Sequence, residues 1–330
     1  MNTPSLFSST DRRRFILQGL SAAGGVLAGD SLLAETKPLP KSETLTATLY
    51  KSLTPEQNSK ICFAFDHPLS QKVDNNWHIT KQTLGGFFTA DQQQMVKEIF
   101  IGLHNPEYID KVMEQYDHDN ASDKGFAGAS VAFFGVPGEG KFEFVLTGRH
   151  CTRRCDGNSV EGAAFGGPIF YGHAAESFNE KADHKGNVYW YQAKRANEVF
   201  QMLDGKQRAM ALADKPRDEE SNKTVKLTGS AKGLDGIPMT ELSKDQKDGV
   251  RKVLADLLLP FRKEDTDEAM KLIEKNGFDN LSLTFYKQGD IGNDGVWDNW
   301  KLEGPAMVWY FRGAPHVHCW VHVRDHAEIS

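Results

Sequence analysis

Two blocks of β-forming sequence, 129–171 and a tail from 281 onward, are set among stretches of helical period, and this alternation limits the fold more than any other feature. In the first block ASVAFFG and KFEFVLTGRH are separated by Pro137-Gly138-Glu139-Gly140, which reads as a hairpin turn. Asp156-Gly157 marks another turn, and AAFGGPIFYG follows as a third extended piece. The tail supplies LSLTFYK, AMVWYF and HVHCWVHV, short runs rich in β-branched and aromatic residues. Helix signals stand before and between the blocks. Thr54-Pro55 is an N-cap followed by Pro at the first helical position. Thr89 and Gln92 form a capping-box pair ahead of Met95, Ile99 and Leu103, and Asn105-Pro106 ends that helix and opens the next. Further helices are expected at 191–213, at 244–259 behind Ser243 and Gln246, and at 265–275 up to Asn276-Gly277. The polar stretch 214–240 reads as a surface excursion. The pattern predicts an α+β fold, a largely antiparallel sheet packed with helices, as one large domain over 43–330.

The N-terminus carries an address. Asp11-Arg12-Arg13-Arg14-Phe15-Ile16-Leu17 has the arginine pair, spacer, Phe and aliphatic of a twin-arginine export signal, with Asp11 in place of the usual Ser or Thr. The apolar run 15–29 is short of the roughly 20 residues that span a bilayer, so 1–34 reads as a signal and 35–42 as a linker. The expected partner is the export machinery and the expected location is the periplasm, with membrane contact only through an uncleaved signal. Because this route carries folded proteins, often loaded with a metal or cofactor, it raises the expectation of a bound ion. A net charge of −6 argues against a nucleic-acid partner. An oxidising destination allows disulfides among Cys62, Cys151, Cys155 and Cys319. The similar His-Cys contexts at 150–151 and 318–319 suggest a Cys151–Cys319 bond, with pairing to Cys62 left open.

Pro315-His316-Val317-His318-Cys319-Trp320-Val321-His322 is the sharpest chemical feature. On a strand His316 and His318 share a face about 7 Å apart, whereas His322 lies about 13 Å from His318. Neutral imidazoles suit zinc and copper. His150, from Gly148-Arg149-His150-Cys151, could supply a third ligand from another strand, giving a three-histidine site with an open position, and His173 could complete it. Arg149 would steer an anionic substrate, and Glu161 (or Glu176) could act as acid or base. Arg153 and Arg154 read more readily as salt-bridge partners. Gly135-Val136-Pro137-Gly138-Glu139-Gly140-Lys141-Phe142 approximates a P-loop, but Phe142 replaces the Mg²⁺-binding hydroxyl and β sequence follows, so it is a hairpin turn. Residues 290–298 fail the calcium-loop pattern at Gly292 and Lys301 and read as a turn.

Phe133-Phe134-Gly135 with KFEFVLTGRH, then GGPIFYG, then LEGPAMVWYFRGAPHVHCWVHVRD together resemble the domain-of-unknown-function 3500 (DUF3500) family, whose members are often exported bacterial proteins. The resemblance implies that Gly148-Arg149-His150, Gly304-Pro305, His316-Val317-His318 and Arg324-Asp325 belong to one pattern, with Arg149 where the family has the first of two adjacent histidines. It implies no established activity. The sequence therefore leads to an exported protein with a mononuclear copper or zinc site, acting as a metal-dependent hydrolase or oxidoreductase on a small anionic substrate. Its rivals are a non-catalytic envelope protein that binds a metal or ligand, and a metal-free His/Glu acid–base enzyme.

Overall fold

A computed structural model describes residues 41–174, 188–290 and 296–327. The export segment 1–34, Glu176, and 291–295 of the expected turn lie outside the described residues. Helix α1 (Lys41–Lys51) already takes in the last two residues of the stretch read as a linker. It is followed by α2 (Pro55–Ile61), α3 (Leu84–Phe87), α4 (Ala90–Gly102) and α5 (Ile109–Asp119). After the first β block come α6 (Trp190–Met202), α7 (Gly205–Ala211), α8 (Lys244–Leu258) and α9 (Lys263–Asn276). Reciprocal capping boxes start α2, α4, α7 and α8, at Thr54/Gln57, Thr89/Gln92, Asp204/Gln207 and Ser243/Gln246. Each satisfies backbone N–H groups that the first turn leaves without partners. The helical stretch expected at 191–213 is two helices, because Asp204 caps a new one after Leu203 turns extended.

The strands are β1 (Cys62–Phe63), β2 (Ser130–Phe134), β3 (Glu143–Gly148), β4 (Cys151–Cys155), β5 (Ile169–His173), β6 (Leu212–Ala213), β7 (Ile237–Pro238), β8 (Ser282–Tyr286), β9 (Asn299–Gly304), β10 (Met307–Arg312) and β11 (Val317–Val323). They form one sheet in the order β1-β2-β3-β4-β5-β11-β10-β9-β8-β6, with β7 beside β8. Two meanders, β2 to β5 and β8 to β11, are thus joined through the antiparallel β5–β11 pair, in which His318 faces Gly172. The α+β reading holds with a qualification: the sheet is mixed, since β1–β2 and β6–β8 are parallel. The P-loop-like segment is the β2–β3 turn.

Alternation sends Val317, Cys319, Val321 and Val323 of β11 into a core shared with Val199, Val253, Leu254, Leu257 and Ile273 of the helices. Val131, Phe133, Phe144 and Leu146 likewise pack with Leu49, Val96, Ile99 and Val112. On the opposite face Trp320 meets Phe170, Val308, Tyr310 and Val73, and the cover is loop rather than helix. Part of that cover is the stretch 214–240. Thr224 and Val225 are buried, the Ser221 hydroxyl donates to Val73 O, and Asn222 accepts from Val73 N. Most of this stretch is exposed, as expected of a surface excursion, but Thr224, Val225, Ile237 and Met239 are buried, and around Val225 it also acts as a strap over this face.

The Cys151–Cys319 bond is absent, as all four cysteines are free. Both residues are register partners of Tyr171, one on each side of β5. Two strand spacings, about 9.6 Å, exceed the Cα separation a disulfide spans. Arg153 and Arg154 are structural. Arg154 pairs with Glu143 at 2.7 Å and donates to the carbonyls of Pro168 and Lys72, and Arg153 donates to Phe170 O and His104 Nε2. No helix among the described residues is long and apolar enough to cross a membrane.

Candidate metal site

Histidines from two distant segments meet at the β4–β5–β11 end of the sheet. His318 lies on β11, and His316 lies in the bend just before it. His150 is not on a strand. It occupies the two-residue turn between β3 and β4 with φ 57°, and its backbone N–H donates to Asn75 O at 2.7 Å. A left-handed conformation is uncommon for a residue with a side chain and must be held by its surroundings. Asn120 supplies part of that hold by bonding both the N–H and the carbonyl of Arg149. Extending the register one residue past Cys151 places His150 across Gly172 from His318. Gly172 has no side chain to stand between the two imidazoles, whose ring centroids are 5.0 Å apart.

The three Nε2 atoms converge. His150 Nε2 lies 3.1 Å from His316 Nε2, which lies 2.9 Å from His318 Nε2. Behind them stand two carboxylates. His150 Nδ1 donates to Asp119 Oδ2 at 2.9 Å, and His318 Nδ1 donates to Glu219 Oε2 at 2.9 Å. Asp119 also accepts from His173 Nδ1 and from the Ala174 N–H. Glu219 also accepts from Trp320 Nε1 at 2.9 Å and pairs with Arg312.

This wiring fixes the protons. Once Nδ1–H is given to a carboxylate, Nε2 carries a lone pair. His150 and His318 then both present lone pairs to His316, and a single proton there can answer only one fully. A cation answers all three. Two nitrogens on one tetrahedral zinc lie about 3.3 Å apart, given bonds of about 2.0–2.1 Å, close to the separations seen. Burial, with the neighbouring imidazoles and Arg312, pushes His316 down to about 3. Burial outweighs the Glu219 hydrogen bond and pushes His318 down to about 4. Both rings are thus neutral ligands at ordinary pH. Burial raises the Asp119 carboxyl, but the hydrogen bonds from His150 and His173 prevail and hold it well below the usual carboxylate range. Glu219 is likewise lowered, because His318 and Arg312 outweigh its desolvation.

His150, His316 and His318 can therefore hold a metal ion. A model of the family described as protein of unknown function (DUF3500) matches residues 35–327. The chain belongs to the DUF3500 family. Neither the curated proteins nor the solved structures compared with it include a match.

The other residues nominated from sequence fall at different distances from the cluster. His173 is not in it. Its Nδ1 bonds Asp119 at 3.3 Å, and its buried Nε2 has no hydrogen-bond partner among the described residues. It buttresses the carboxylate behind His150. Arg149 is exposed in the turn beside His150. Glu161 is not brought to the site: it is exposed two residues before Ala163, which bridges Arg324, about 20 Å along β11 from His318. His322 donates to Val225 O and stays apart from the cluster, in keeping with its spacing. Sequence reading missed Asp119, Glu219 and Arg312. Arg312 is the register partner of His318, and its Nε and Nη2 have no hydrogen-bond partner among the described residues.

Proposed function

We propose that this DUF3500 protein is exported and binds one zinc or copper ion through His150, His316 and His318, with a small anion held beside it. The observation that carries this reading is the pair of carboxylates, Asp119 and Glu219, that turn imidazole lone pairs inward on a common point. Metal-ligating histidines are commonly oriented this way. An ion on three imidazoles would keep a coordination position for water or a substrate oxygen, the arrangement of metal-assisted hydrolysis and oxidation. His150 and His318 are buried while His316 is half-exposed, so the approach runs past His316. Arg312 offers donors at this approach, and exposed Arg149 adds positive charge at its edge. Both favour a carboxylate or phosphate over a neutral substrate. The arginine pair Arg12-Arg13 and the apolar run behind it support export.

Titration of metal-free protein with Zn²⁺ and Cu²⁺ tests the ligand set. One equivalent should bind the parent chain, His316→Ala with His318→Ala should abolish binding, and His326→Ala should leave it intact. Equal binding by parent and double variant would reject these ligands. Elemental analysis of gently purified protein from its own host should give near one metal per chain. Less than about 0.2 would count against the reading, since multi-imidazole sites seldom empty spontaneously.

A further inference from the structure

A single carboxylate ties the indole of Trp320 to the histidine cluster. Glu219 Oε2 accepts from His318 Nδ1 at 2.9 Å, and Glu219 Oε1 accepts from Trp320 Nε1 at 2.9 Å. The ring of Phe170 packs against both side chains, its centroid 5.1 Å from that of His318 and 4.8 Å from that of Trp320. Trp320 is fully buried, and its register partner on β10 is Tyr310, whose ring lies 6.3 Å from that of Tyr286. Tryptophan and tyrosine rings give up one electron more readily than phenylalanine or histidine. Tyr171, Cys319 and Trp309 are also oxidisable, but they face the helix-side core on the other side of the sheet. Half-buried Trp77 donates to the Thr152 hydroxyl and not to a carboxylate. A positive charge on the Trp320 indole would thus sit in hydrogen-bond contact with a negative one, in buried surroundings that strengthen the pairing. Zinc, which does not change oxidation state, has no use for such a connection. Copper, which imidazoles also suit, exchanges single electrons and can use it.

We propose that, with copper on His150, His316 and His318, the site reduces a peroxide and Trp320 is its internal one-electron donor. This rests on the metal reading and narrows it to copper. A peroxide takes two electrons, which one from the metal and one from the indole answer together, and it is small enough to reach the cluster past half-exposed His316. In the step the O–O bond of hydrogen peroxide breaks, and two protons from solvent complete two water molecules. One electron comes from Cu(I), leaving Cu(II). The other comes from Trp320, leaving its radical cation against the Glu219 carboxylate. Without that second electron Cu(I) splits peroxide into hydroxide and a hydroxyl radical, which attacks the histidines around it.

To test this, the full chain is loaded with Cu(I) without oxygen, its copper content is measured, and an equivalent of hydrogen peroxide is added. Freeze-quench electron paramagnetic resonance should show an organic radical beside Cu(II), and about one Cu(I) should be oxidised per peroxide rather than about two. Protein grown on ring-deuterated tryptophan should give a narrowed radical signal. Trp320→Phe should still bind copper, lose the radical, and oxidise about two Cu(I) per peroxide. Trp77→Phe should behave like the parent. A parent chain that binds no copper overturns this proposal together with the metal reading. Bound copper without a radical, a radical that deuterated tryptophan does not narrow, or a parent-like radical in Trp320→Phe overturns this proposal alone. Should Trp320→Phe fail to fold, peptide mass spectrometry of the spent parent decides. Oxygen added at Trp320 supports the assignment, and oxygen at Trp77 or at the three histidines instead overturns it.

Discussion

Asp119 is the last residue of α5, where the helix dipole and unpaired carbonyls favour a cation and disfavour a carboxylate. An acid placed against that preference needs another reason, and the reason is His150. Replacing Asp119 by Asn keeps the shape and removes the charge that fixes the imidazole tautomer. An amide can also turn its NH₂ toward Nδ1 and move the ring proton to Nε2, the ligating atom. Zn²⁺ affinity of Asp119→Asn should therefore fall about 10–100-fold, as for other partners behind metal-binding histidines, measured by competition with a chromogenic chelator. Unchanged affinity would mean that the carboxylate only caps Ala174. The histidines were legible from sequence because His316 and His318 advertise themselves by alternation. Asp119 was legible only to the dipole rule, and Glu219 not at all, since it sits in an acidic run, 218–220, that looks like any solvated loop.

At the level of elements the cluster depends on how closely β5 and β11 approach. A Cβ built on Gly172 comes within 2.3 Å of Val317 O, a backbone atom flanked by His316 and His318. Gly172→Ala must push β11 away from β5 or twist it. The expected cost is about 1–3 kcal/mol of unfolding free energy in urea, the range for forced overpacking, together with weakened Zn²⁺ binding, because the rings on β11 move with their backbone. A variant as stable and as metal-avid as the parent would show that the strands tolerate the methyl group. The elements themselves were largely readable. The capping boxes placed α4 and α8 within a residue, and Gly277 ended α9 with φ 86°. β9 escaped because its outward set, Asn299, Lys301 and Glu303, is polar yet buried, with Lys301 and Glu303 answering each other. The alternating Trp300 and Leu302 were the signal, masked by polar neighbours that normally mark loops. That the surface stretch 214–240 also straps the Trp320 face of the sheet was hidden for a related reason. Its chain is polar because Ser221 and Asn222 bond the backbone of Val73 in the neighbouring loop and Glu219 bonds His318 and Trp320 of β11, with only Val225 and Leu227 packing apolarly on that face.

Across the whole molecule, buried neutral histidines tie stability to pH. His104 donates from Nδ1 to Phe100 O and accepts from Arg153 Nε, and burial together with the Arg153 charge pushes it down to about 3. His322, under the strap, is pushed down to about 4 by burial. In the unfolded chain both take a proton near pH 6.5, and in the folded chain they refuse it until pH 3–4. Between those limits the unfolded state binds more protons, so stability rises with pH across the window. The contribution is complete above about pH 6.5 and is lost as the pH falls toward 4, at up to about 1.4 kcal/mol per pH unit for each histidine. His104→Gln keeps an acceptor for Arg153 and a donor for Phe100 O but cannot titrate. Thermal melts of metal-free protein should show the parent Tm dropping from pH 6.5 to 4.5. The variant, less stable at pH 7, should drop less, so that the two curves converge at the acid end. Parallel curves over that interval would show that His104 carries its proton in the folded chain and that acid lability arises elsewhere.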